Sequence, residues 1–344
     1  MTNYRGDAVA IRVAINGFGR IGRGYVRASL NSPDIDVVAV NDLTSPSMLA
    51  HLLQYDSTQG VLGVPVSVVD GNIKVGKDTI KVFAERNPAA LPWNDLKIDV
   101  VIESTGLFTS REAAAQHLSA GAKKVVISAP SSDADANLVM GVNQDSYDAE
   151  NHHVISNASC TTNCFVPMVK VLDDAFGIDV GLMTTVHAYT NDQNLLDLQH
   201  KDPRRARAAA VNIVPTSTGA ARATSLVLAS MKGRLDGTSL RVPIPVGSIT
   251  DFTAIVRSTT VEEINAAYKK AADSGPLKGI LAYTEDPIVS SDIVGTPFSC
   301  TFDSLMTMVI KIDDARSLVK VFGWYDNEWG YSNRLVDLTS YIGK

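Results

Sequence analysis

The sequence has few cysteines, no long apolar run and no excess of basic charge, and each absence excludes a class of protein. Three cysteines in 344 residues are too few for a disulfide framework and fit a reducing cytoplasm. No stretch reaches the roughly 18 consecutive apolar residues that a membrane span needs. The net charge of −6 argues against nucleic acid as a dedicated partner. The segment 1–10 is charged and lacks an apolar centre, so we expect that it is not a signal peptide.

What remains is the composition of an ordinary globular protein. Apolar residues make up 45% of the chain and charged residues 20%, which predicts a soluble chain of two domains. The sequence shows no internal repeat and no low-complexity tract. We expect no metal cofactor.

The beginning of the chain has the pattern of a dinucleotide-binding unit. An alternating apolar segment, 11–15, runs into a loop in which Gly17, Gly19 and Gly22 fit G-x-G-x-x-G. In that pattern the glycines permit a tight turn, the approach of a pyrophosphate and close helix–strand packing. Asp42 follows the next apolar strand and lies 20 residues beyond Gly22, where a carboxylate accepts hydrogen bonds from ribose hydroxyls. Because a carboxylate also repels a 2′-phosphate, we expect NAD rather than NADP.

The rest of the first half continues the alternation of strands and helices. Residues 64–83 form a β-rich insert, and 99–102 and 124–128 are further strands. Thr109 and Glu112 have the spacing of a capping box that opens a helix ending at Gly121. This rhythm predicts an α/β fold for residues 1–158: a doubly wound, mostly parallel (Rossmann) sheet with its ligand at the carboxyl ends of the strands.

The stretch 156–164 places Cys160 among small, hydroxyl-bearing residues. An apolar helical run, 165–176, follows and stops at Gly177, so Cys160 lies where a helix begins. Free backbone N–H groups and the helix dipole favour a thiolate at that point. The stretch therefore indicates a nucleophile, and the alternative is a buried structural cysteine.

The second half supplies candidates that can act with Cys160. His187 ends a long strand, 27 residues beyond Cys160, and is a candidate base. Arg241 stands alone on an apolar strand, and such a charge needs a partner such as a phosphate. Residues 215–219 are rich in hydroxyls and precede an apolar helix, which suits an anion. We predict an α+β domain over 159–326 with a mixed or antiparallel sheet and helices on one face. Its predicted elements include antiparallel strands at 251–257, 304–310 and 318–324 and a helix at 261–273. The segment 327–344 is predicted to be a helix that packs back on the first domain.

With these residues in view, the chain resembles phosphorylating, NAD-dependent glyceraldehyde-3-phosphate dehydrogenases from Ile11 to Gly343. The motifs that carry the resemblance occur in the right order and are INGFGRIGR, NASCTTNC, TTVHAYT, HKD-RRARAAA, PTSTGAA, LRVP and WYDNEWGYS.

The resemblance implies a reaction and a set of roles. Cys160 is the nucleophile that forms a thiohemiacetal and then a thioester, and His187 is the acid/base. The substrates are glyceraldehyde 3-phosphate and inorganic phosphate, and the product is 1,3-bisphosphoglycerate. The implied cofactor-binding residues are Gly17, Phe18, Gly19, Arg20, Ile21, Asp42, Thr105, Gly106, Ser128, Asn327 and Tyr331. The implied phosphate-binding residues are Ser159, Thr161, Thr190, Asp192, Thr218, Gly219 and Arg241. Residues 189–212 correspond to the family's S-loop, which lies at the interfaces of a homotetramer.

A few positions depart from the family pattern. Gln199 stands where NAD-specific members have proline, Pro203 replaces a leucine, Asn194 replaces an arginine, and Val166 replaces an alanine. Gln199 weakens the preference for NAD, whereas Asp42 supports it. The departures lie in the S-loop and in the helix of the nucleophile, so they suggest an isozyme that resists bulky thiol-directed inhibitors.

Three alternatives remain open at this stage. An erythrose-4-phosphate dehydrogenase has the same fold, the same Cys/His pair and NAD. An aspartate-semialdehyde dehydrogenase also uses a cysteine on this architecture, but LRVP and PTSTGAA do not support it. A catalytically idle scaffold protein is opposed by the intact Cys160, His187 and Arg241.

Overall fold

The computed structural model describes residues 10–344. The prediction that the segment 1–10 is not a signal peptide lies outside the described residues, apart from residue 10. Its contacts divide the chain into two compact units. The first holds the described residues up to Leu138, together with Ser146–Ala158 and Ser332–Lys344. The second holds Val139–Asp145 and Ser159–Tyr331.

The first unit is built on parallel strands joined by helices. Its strands are β1 (Ile11–Asn16), β2 (Ile35–Asn41), β3 (Tyr55–Asp56), β4 (Gly60–Val61), β5 (Val66–Val69), β6 (Asn72–Val75), β7 (Asp78–Phe83), β8 (Val100–Glu103), β9 (Lys124–Ile127), β10 (Ala136–Asn137) and β11 (Val154–Ser156). Its helices are α1 (Arg20–Ser29), α2 (Pro46–Gln54), α3 (Arg111–Ala114) and α4 (Gln116–Ser119).

Nine of these strands form one sheet in the order β10-β11-β9-β8-β1-β2-β7-β6-β5. The strands from β10 to β7 pair in parallel, and β5, β6 and β7 pair antiparallel. All four residues of β8 are buried, as expected for a strand covered on both faces. The doubly wound sheet predicted from the sequence is confirmed. Because β1, β2 and β8 run parallel, their last residues Asn16, Asn41 and Glu103 lie at one edge of the sheet.

The predicted capping box at Thr109 and Glu112 is wrong. The N-cap of α3 is Ser110, whose side chain accepts a hydrogen bond from the backbone N–H of Ala113 at 3.2 Å. Both Thr109 and Ser110 can cap a helix, so the sequence alone did not decide between them. The helix is also interrupted, since α3 ends at Ala114 and α4 begins at Gln116.

The second unit contains the long strands of the chain. Its strands are β12 (Ile178–Ala188), β13 (Val214–Ser217), β14 (Leu235–Val242), β15 (Ser248–Arg257), β16 (Leu281–Thr284), β17 (Cys300–Asp303), β18 (Met308–Lys311) and β19 (Arg316–Tyr325). Its helices are α5 (Cys160–Phe176), α6 (Ala220–Val227) and α7 (Val261–Asp273), and the division between the units falls within α8 (Trp329–Ile342).

These strands form a mixed sheet in the order β13-β14-β12-β15-β19-β17-β16, and β18 pairs with β19. The pairs β12–β14 and β16–β17 are parallel, and the others are antiparallel. Phe165 of α5 and Tyr268 of α7 share one apolar core with the strand residues Phe252 and Phe302. The predicted mixed sheet with helices is therefore confirmed.

Two local predictions in the second unit have different outcomes. The predicted helix 261–273 is confirmed, and Thr260 and Glu263 form its capping box. The predicted strand 304–310 is wrong at its start, because Ser304–Met306 forms a 3₁₀ turn capped by the side chain of Asp303. Among residues 10–344, no helix is long and apolar enough to cross a membrane.

Candidate functional site

A cavity of about 360 Å³ opens at the carboxyl ends of β1, β2 and β8 in the first unit. This is where parallel α/β sheets bind ligands. The residues that line it are Asn16, Gly17, Gly19, Asn41, Asp42, Leu43, Glu85, Arg86, Ser104, Thr105, Leu107 and Phe108.

The glycines between β1 and the start of α1 make this cavity suitable for a dinucleotide. Gly17 has φ +92°, and a Cβ there would lie 2.6 Å from the backbone nitrogen of Thr105. A Cβ at Gly22 would lie 2.3 Å from the carbonyl oxygen of Gly17, so α1 packs directly on the turn. A Cβ at Gly19 would meet nothing within 4 Å, which leaves the backbone at the start of α1 open to a ligand. An open backbone at a helix N-terminus suits a pyrophosphate.

Asp42 directly follows β2 and lines the cavity. Its Oδ2 accepts a hydrogen bond from the backbone N–H of Phe18 at 2.9 Å, and its Oδ1 accepts one from Thr44 at 3.0 Å. Each carboxylate oxygen has a second acceptor position, so these bonds orient the group and leave capacity for ribose hydroxyls.

The side chain of Arg20 is engaged away from the cavity. Its guanidinium pairs with Asp56 at 2.5 Å and donates to the hydroxyl of Thr58 at 2.5 Å. Only the backbone of Arg20, the first residue of α1, is placed as the glycine motif requires. Of the other predicted cofactor residues in this unit, Gly17, Gly19, Asp42 and Thr105 line the cavity, and Phe18, Ile21, Gly106 and Ser128 do not.

A buried polar network that sequence reasoning missed holds the floor of the cavity. Glu103 is 2% exposed, and its Oε2 accepts from Asn16 Nδ2 at 2.6 Å and lies 3.0 Å from His117 Nε2. Its Oε1 accepts from the backbone N–H of Thr105 at 2.9 Å and from the Thr105 hydroxyl at 2.5 Å. Trp93 donates its Nε1–H to His117 Nδ1 at 3.0 Å, so the proton of His117 lies on Nε2 and points to Glu103. The sequence signal for this network was Glu103, a charged residue at the end of the apolar strand VVIE.

Glu103→Gln is expected to weaken NAD binding about tenfold and to lower the free energy of unfolding by about 1–3 kcal/mol. Four donors converge on the carboxylate, and an amide has only one oxygen, so its NH₂ group would face two of them. Thr105 would then lose its anchor. The measurements are a fluorescence titration with NAD and thermal unfolding, with the exposed Glu150→Gln as the control. An unchanged NAD affinity in the Glu103 variant would show that the network is structural only.

Cys160 is the first residue of α5, as the sequence predicted. Ser159 is the N-cap, and its hydroxyl accepts from the backbone N–H of Thr162 at 3.0 Å. Ala158, just before the cap, has φ +53°, a conformation that costs a non-glycine residue of order 1–3 kcal/mol. Such strain clusters at functional sites, and here it lies in the turn that presents the cysteine.

The sheet of the second unit brings the histidine and the arginine together. His187 and Arg241 are direct partners in the parallel pair β12–β14, so both side chains lie at the carboxyl edge of the sheet. Arg241 Nη1 lies 2.6 Å from His187 Nδ1, and His187 Nε2 lies 3.4 Å from Cys160 Sγ. Three residues separated in sequence therefore form one cluster.

The predicted lowering of the thiol pKa is wrong for this structure. Burial raises the pKa of Cys160, whereas the positive charge of Arg241 and hydrogen bonds from Thr161 act in the opposite direction without cancelling it. The sequence showed the helix start but not the partial burial of Cys160. The thiol therefore needs a base in order to react.

His187 is suited to be that base because its ring is neutral. Burial, with the charge of Arg241, lowers the pKa of His187 to about 3. Tyr325, which the sequence analysis did not single out, packs edge-on against the ring with 5.9 Å between centroids. The Tyr325 hydroxyl lies 2.9 Å from Thr161 Oγ1 and 2.8 Å from Thr185 Oγ1, which fixes its position.

The other predicted residues of this unit lie in several local arrangements. Asp192 in the S-loop pairs with Arg205 and lies 3.5 Å from His200 Nε2. Thr218 accepts from the backbone N–H of Ala220 at 3.2 Å. The remaining ones are the half-buried Thr190, the exposed Gly219 and the buried Asn327 and Tyr331. Asn327 Oδ1 accepts from the backbone N–H of Gly247 at 3.2 Å and lies 3.0 Å from Ser248 Oγ.

A dinucleotide-binding fold in one unit and a cysteine–histidine pair in the other are the features of an NAD-dependent oxidoreductase. Residues 11–111 match the family model "Glyceraldehyde 3-phosphate dehydrogenase, NAD binding domain", and residues 159–327 match "Glyceraldehyde 3-phosphate dehydrogenase, C-terminal domain". The chain belongs to the glyceraldehyde 3-phosphate dehydrogenase family.

Similar proteins cover nearly the whole chain. It is 63% identical over 337 residues to a glyceraldehyde-3-phosphate dehydrogenase of Streptomyces coelicolor, which spans 97% of this chain and 99% of the relative. It is 62% identical to glyceraldehyde-3-phosphate dehydrogenase 2 of Streptomyces avermitilis, with 97% and 99% covered. It is 60% identical to glyceraldehyde-3-phosphate dehydrogenase 1 of Bacillus subtilis, with 98% and 99% covered.

Proposed function

We propose that this protein oxidises glyceraldehyde 3-phosphate to 1,3-bisphosphoglycerate in glycolysis, with NAD and inorganic phosphate, and that Cys160 is its nucleophile. The observation that carries the proposal is the cluster in which Cys160 Sγ lies 3.4 Å from His187 Nε2 and Arg241 lies beside the same ring. A thiol, a neutral base and a fixed positive charge are what a phosphorylated aldehyde requires.

The chemistry at Cys160 proceeds through two covalent stages. The sulfur adds to the aldehyde carbon to form a thiohemiacetal, and His187 Nε2 takes the proton of its hydroxyl as a hydride leaves the carbon. Bound NAD would supply the acceptor for that hydride. Inorganic phosphate then attacks the resulting thioester, and the Cys160 sulfur leaves. The thioester keeps the energy of oxidation that hydrolysis would lose.

We assign the two phosphate groups to different side chains. Arg241, with Thr190 and Asp192, is proposed to hold the phosphate of the substrate. The pairing of Asp192 with Arg205 supports this assignment because it reduces the negative charge beside a phosphate. Inorganic phosphate is assigned to the side chains and backbone of Ser159, Thr161, Thr218 and Gly219.

The cofactor residues are assigned in the same way. The cavity at β1, β2 and β8 is proposed to hold the adenosine ribose at Asp42, and the start of α1 the pyrophosphate. Asn327 and Tyr331 are proposed to orient the nicotinamide. The bonds of Asn327 Oδ1 to Gly247 and Ser248 support a fixed amide.

The test is the formation of NADH from glyceraldehyde 3-phosphate, measured with NAD or NADP and with or without inorganic phosphate. Turnover that requires NAD and phosphate is expected. A higher kcat/KM on erythrose 4-phosphate would identify the four-carbon aldehyde as the substrate. No reduction of either cofactor would leave a binding or scaffold role.

Asp42→Ala is expected to lower kcat/KM for NAD about 10- to 100-fold, the loss typical of hydrogen bonds to a charged group, and to affect NADP less. The carboxylate contributes both the ribose acceptor and the repulsion of a 2′-phosphate. Steady-state kinetics with the two cofactors measure the change. Asp36→Ala, at the exposed start of the same strand, controls for the lost charge. Equal turnover of NAD and NADP by the unaltered protein would show that Gln199 in the S-loop outweighs Asp42.

We propose that the protein is a cytoplasmic homotetramer. The S-loop region exposes large apolar side chains, with Leu195 80% and Val211 77% exposed. The sheet of the second unit exposes others: Leu182 is 68% exposed and lines a cavity of about 1040 Å³, and Ile310 is 64% exposed. Apolar surfaces of this kind mark contacts with another chain. Light scattering is expected to give four times the mass of the chain.

We also propose that the protein is an isozyme that resists bulky thiol reagents. Gln199 and Pro203 are exposed in the S-loop, and Asn194 donates to the carbonyl of Leu198 at 2.8 Å. Val166 is 0% exposed, so it acts on the nucleophile only through the packing of α5.

Inactivation by iodoacetamide is expected at the rate of a sensitive relative, and inactivation by a bulky epoxide is expected to be slow. The measurement is the second-order rate constant of each reagent. Val166→Ala combined with Gln199→Pro is expected to restore the reaction with the epoxide. Rapid inactivation of the unaltered protein by both reagents would refute resistance.

A further inference from the structure

Arg20 carries a positive charge at the place proposed for the pyrophosphate, yet its side chain is bound elsewhere. It is the first residue of α1 and follows Gly19, whose open backbone lines the cavity. A guanidinium is a strong phosphate ligand, because its planar fork can donate two parallel N–H bonds. Both terminal nitrogens of Arg20 instead bind the β3–β4 hairpin, residues 55–61. Nη1 donates to Asp56 Oδ2 at 2.5 Å, and Nη2 donates to Thr58 Oγ1 at 2.5 Å.

The carboxylate of Asp56 is preorganised to hold this arginine. Its Oδ1 accepts from the backbone N–H groups of Thr58 and Gln59 and from the Thr58 hydroxyl, each at 2.9 Å. Its Oδ2 is the oxygen that pairs with Arg20, and its side chain is 6% exposed. Burial acts to raise the pKa of Asp56, but the hydrogen bonds from Gln59 and Thr58 and the pair with Arg20 outweigh it and hold the pKa well below its usual range. The carboxylate is therefore ionised at neutral pH, and the ion pair persists there.

A second arginine of α1 fixes the hairpin in place. Arg27, about two helical turns beyond Arg20, donates from Nη2 to the carbonyl oxygens of Leu53 at 2.7 Å and of Gly60 at 3.0 Å. Arg27 is buried, so water does not compete for these bonds. Leu53 and Gly60 lie on either side of Asp56 in the chain. The carboxylate of Asp56 is thus held relative to α1, and it competes with a pyrophosphate for the guanidinium of Arg20.

We propose that Asp56 holds the Arg20 side chain off the pyrophosphate of the cofactor and thereby sets the rate at which NADH leaves. This proposal rests on the function proposed above and deepens it, since it concerns the release of the reduced cofactor. With Arg20 paired to Asp56, the pyrophosphate is bound by backbone N–H groups at the start of α1 and not by this guanidinium.

Such a restraint has a use in turnover. NADH must leave in every catalytic cycle, and product release limits kcat in many enzymes. A guanidinium bound to the pyrophosphate would tighten NAD and NADH alike, because the pyrophosphate does not change in the reaction. Uniform tightening of this kind slows release without aiding hydride transfer. Asp56 is therefore a positioning residue that acts through Arg20.

The test removes the charge of Asp56 and keeps its shape. In Asp56→Asn the amide oxygen can still accept from the backbone of Thr58 and Gln59, whereas its NH₂ group faces the guanidinium and cannot accept from it. We expect the released Arg20 to bind the pyrophosphate and to lower the dissociation rate of NADH about tenfold, the lower end of the effect of a hydrogen bond to a charged group. Stopped-flow displacement, followed by NADH fluorescence, measures the rate in the full-length protein freed of bound cofactor.

A series of ligands separates the pyrophosphate from the rest of the cofactor. ADP-ribose has the pyrophosphate without the nicotinamide, and adenosine has neither. Calorimetric titration of Asp56→Asn is expected to show about tenfold tighter binding of ADP-ribose and unchanged binding of adenosine. A purely structural role of Asp56 would instead weaken the binding of every ligand, adenosine included.

Three further variants serve as controls. Arg20→Met combined with Asp56→Asn is expected to lose the gain in affinity, because no guanidinium is then released. Asp36→Asn is the matched control, since it removes a carboxylate that pairs with Arg12 at 3.2 Å in the same unit, and no change in NADH dissociation is expected. Thr58→Val removes the second acceptor of Arg20 and leaves the charge of Asp56, so a smaller slowing in the same direction is expected.

Faster or unchanged dissociation of NADH from Asp56→Asn would overturn the proposal, and Thr58→Val decides in the same way if Asp56→Asn does not fold. A full gain in the double variant would overturn it as well, because the tightening would then come from the lost negative charge and not from Arg20. These binding measurements need no aldehyde, whereas the NADH-formation assay tests the proposed function. Slower NADH dissociation from Asp56→Asn, in a protein that shows no turnover, would support this inference and refute the function.

Discussion

Cys160→Ser is expected to lower kcat for oxidation of glyceraldehyde 3-phosphate by on the order of 10⁴–10⁶-fold, the loss seen when a covalent nucleophile is removed. The serine hydroxyl is almost never ionised at neutral pH. His187, with its pKa of about 3, is too weak a base to remove the proton of an alcohol. Addition to the aldehyde, and with it every later step, would fail. Single-turnover formation of NADH measures the loss.

Cys164→Ser is the matched control, four residues further along the same helix. Cys164 is 0% exposed, and its Sγ lies 3.6 Å from the carbonyl oxygen of Gly323, which a serine hydroxyl can also reach. We expect most of kcat to remain. If Cys164→Ser lost activity and Cys160→Ser kept it, Cys164 would be the essential thiol and the assignment of the nucleophile would be wrong.

His187→Asn is expected to lower kcat by about 10²–10⁴-fold, the usual contribution of acid–base catalysis. Asparagine keeps a polar side chain at the end of β12 but cannot take the proton from the thiol or from the thiohemiacetal hydroxyl. The pKa of Cys160, already raised by burial, is expected to rise further because no acceptor remains for its proton. Thiolate therefore appears only at higher pH in the variant.

Two measurements check this prediction. The first is kcat from steady-state kinetics, and the second is the rate of alkylation of Cys160 by iodoacetamide as a function of pH. In the variant the alkylation profile should move to higher pH. A profile that stayed in place, together with an unchanged kcat, would show that the 3.4 Å contact has no role in activating the thiol.

The conformation of the glycine loop between β1 and α1 could be predicted well because its signals are local. Gly17, Gly19 and Gly22 are separated by a few residues, and each has a steric reason that depends only on the adjacent strand and helix. Asp42 could be placed because it follows a parallel strand, and the carboxyl ends of parallel strands meet at one edge of the sheet. Arg20 stands in the same motif, but its guanidinium forms an ion pair with Asp56, a residue of a different element.

The network below the cavity could not be predicted from the sequence. Asn16 lies 87 residues before Glu103, and neither His117 nor Trp93 is adjacent to it in the chain, so each residue alone is consistent with a surface position or an apolar core. The pairing of β8 with β1 brings Glu103 to Asn16. Only then does the carboxylate acquire the donors that make its burial possible.

The sequence by itself determined the class of the fold, the glycine loop, the position of Cys160 at the start of a helix and the candidate partners of the thiol, because these depend on short-range order and on motif spacing. The tertiary structure alone decided the energetics of the site. It partly buried Cys160 and raised the pKa of its thiol, and it placed Arg241 beside His187 through the register of β12 and β14. Charge and burial act through space, so the ionisation of these groups follows from how the sheet pairs and not from the order of residues along the chain.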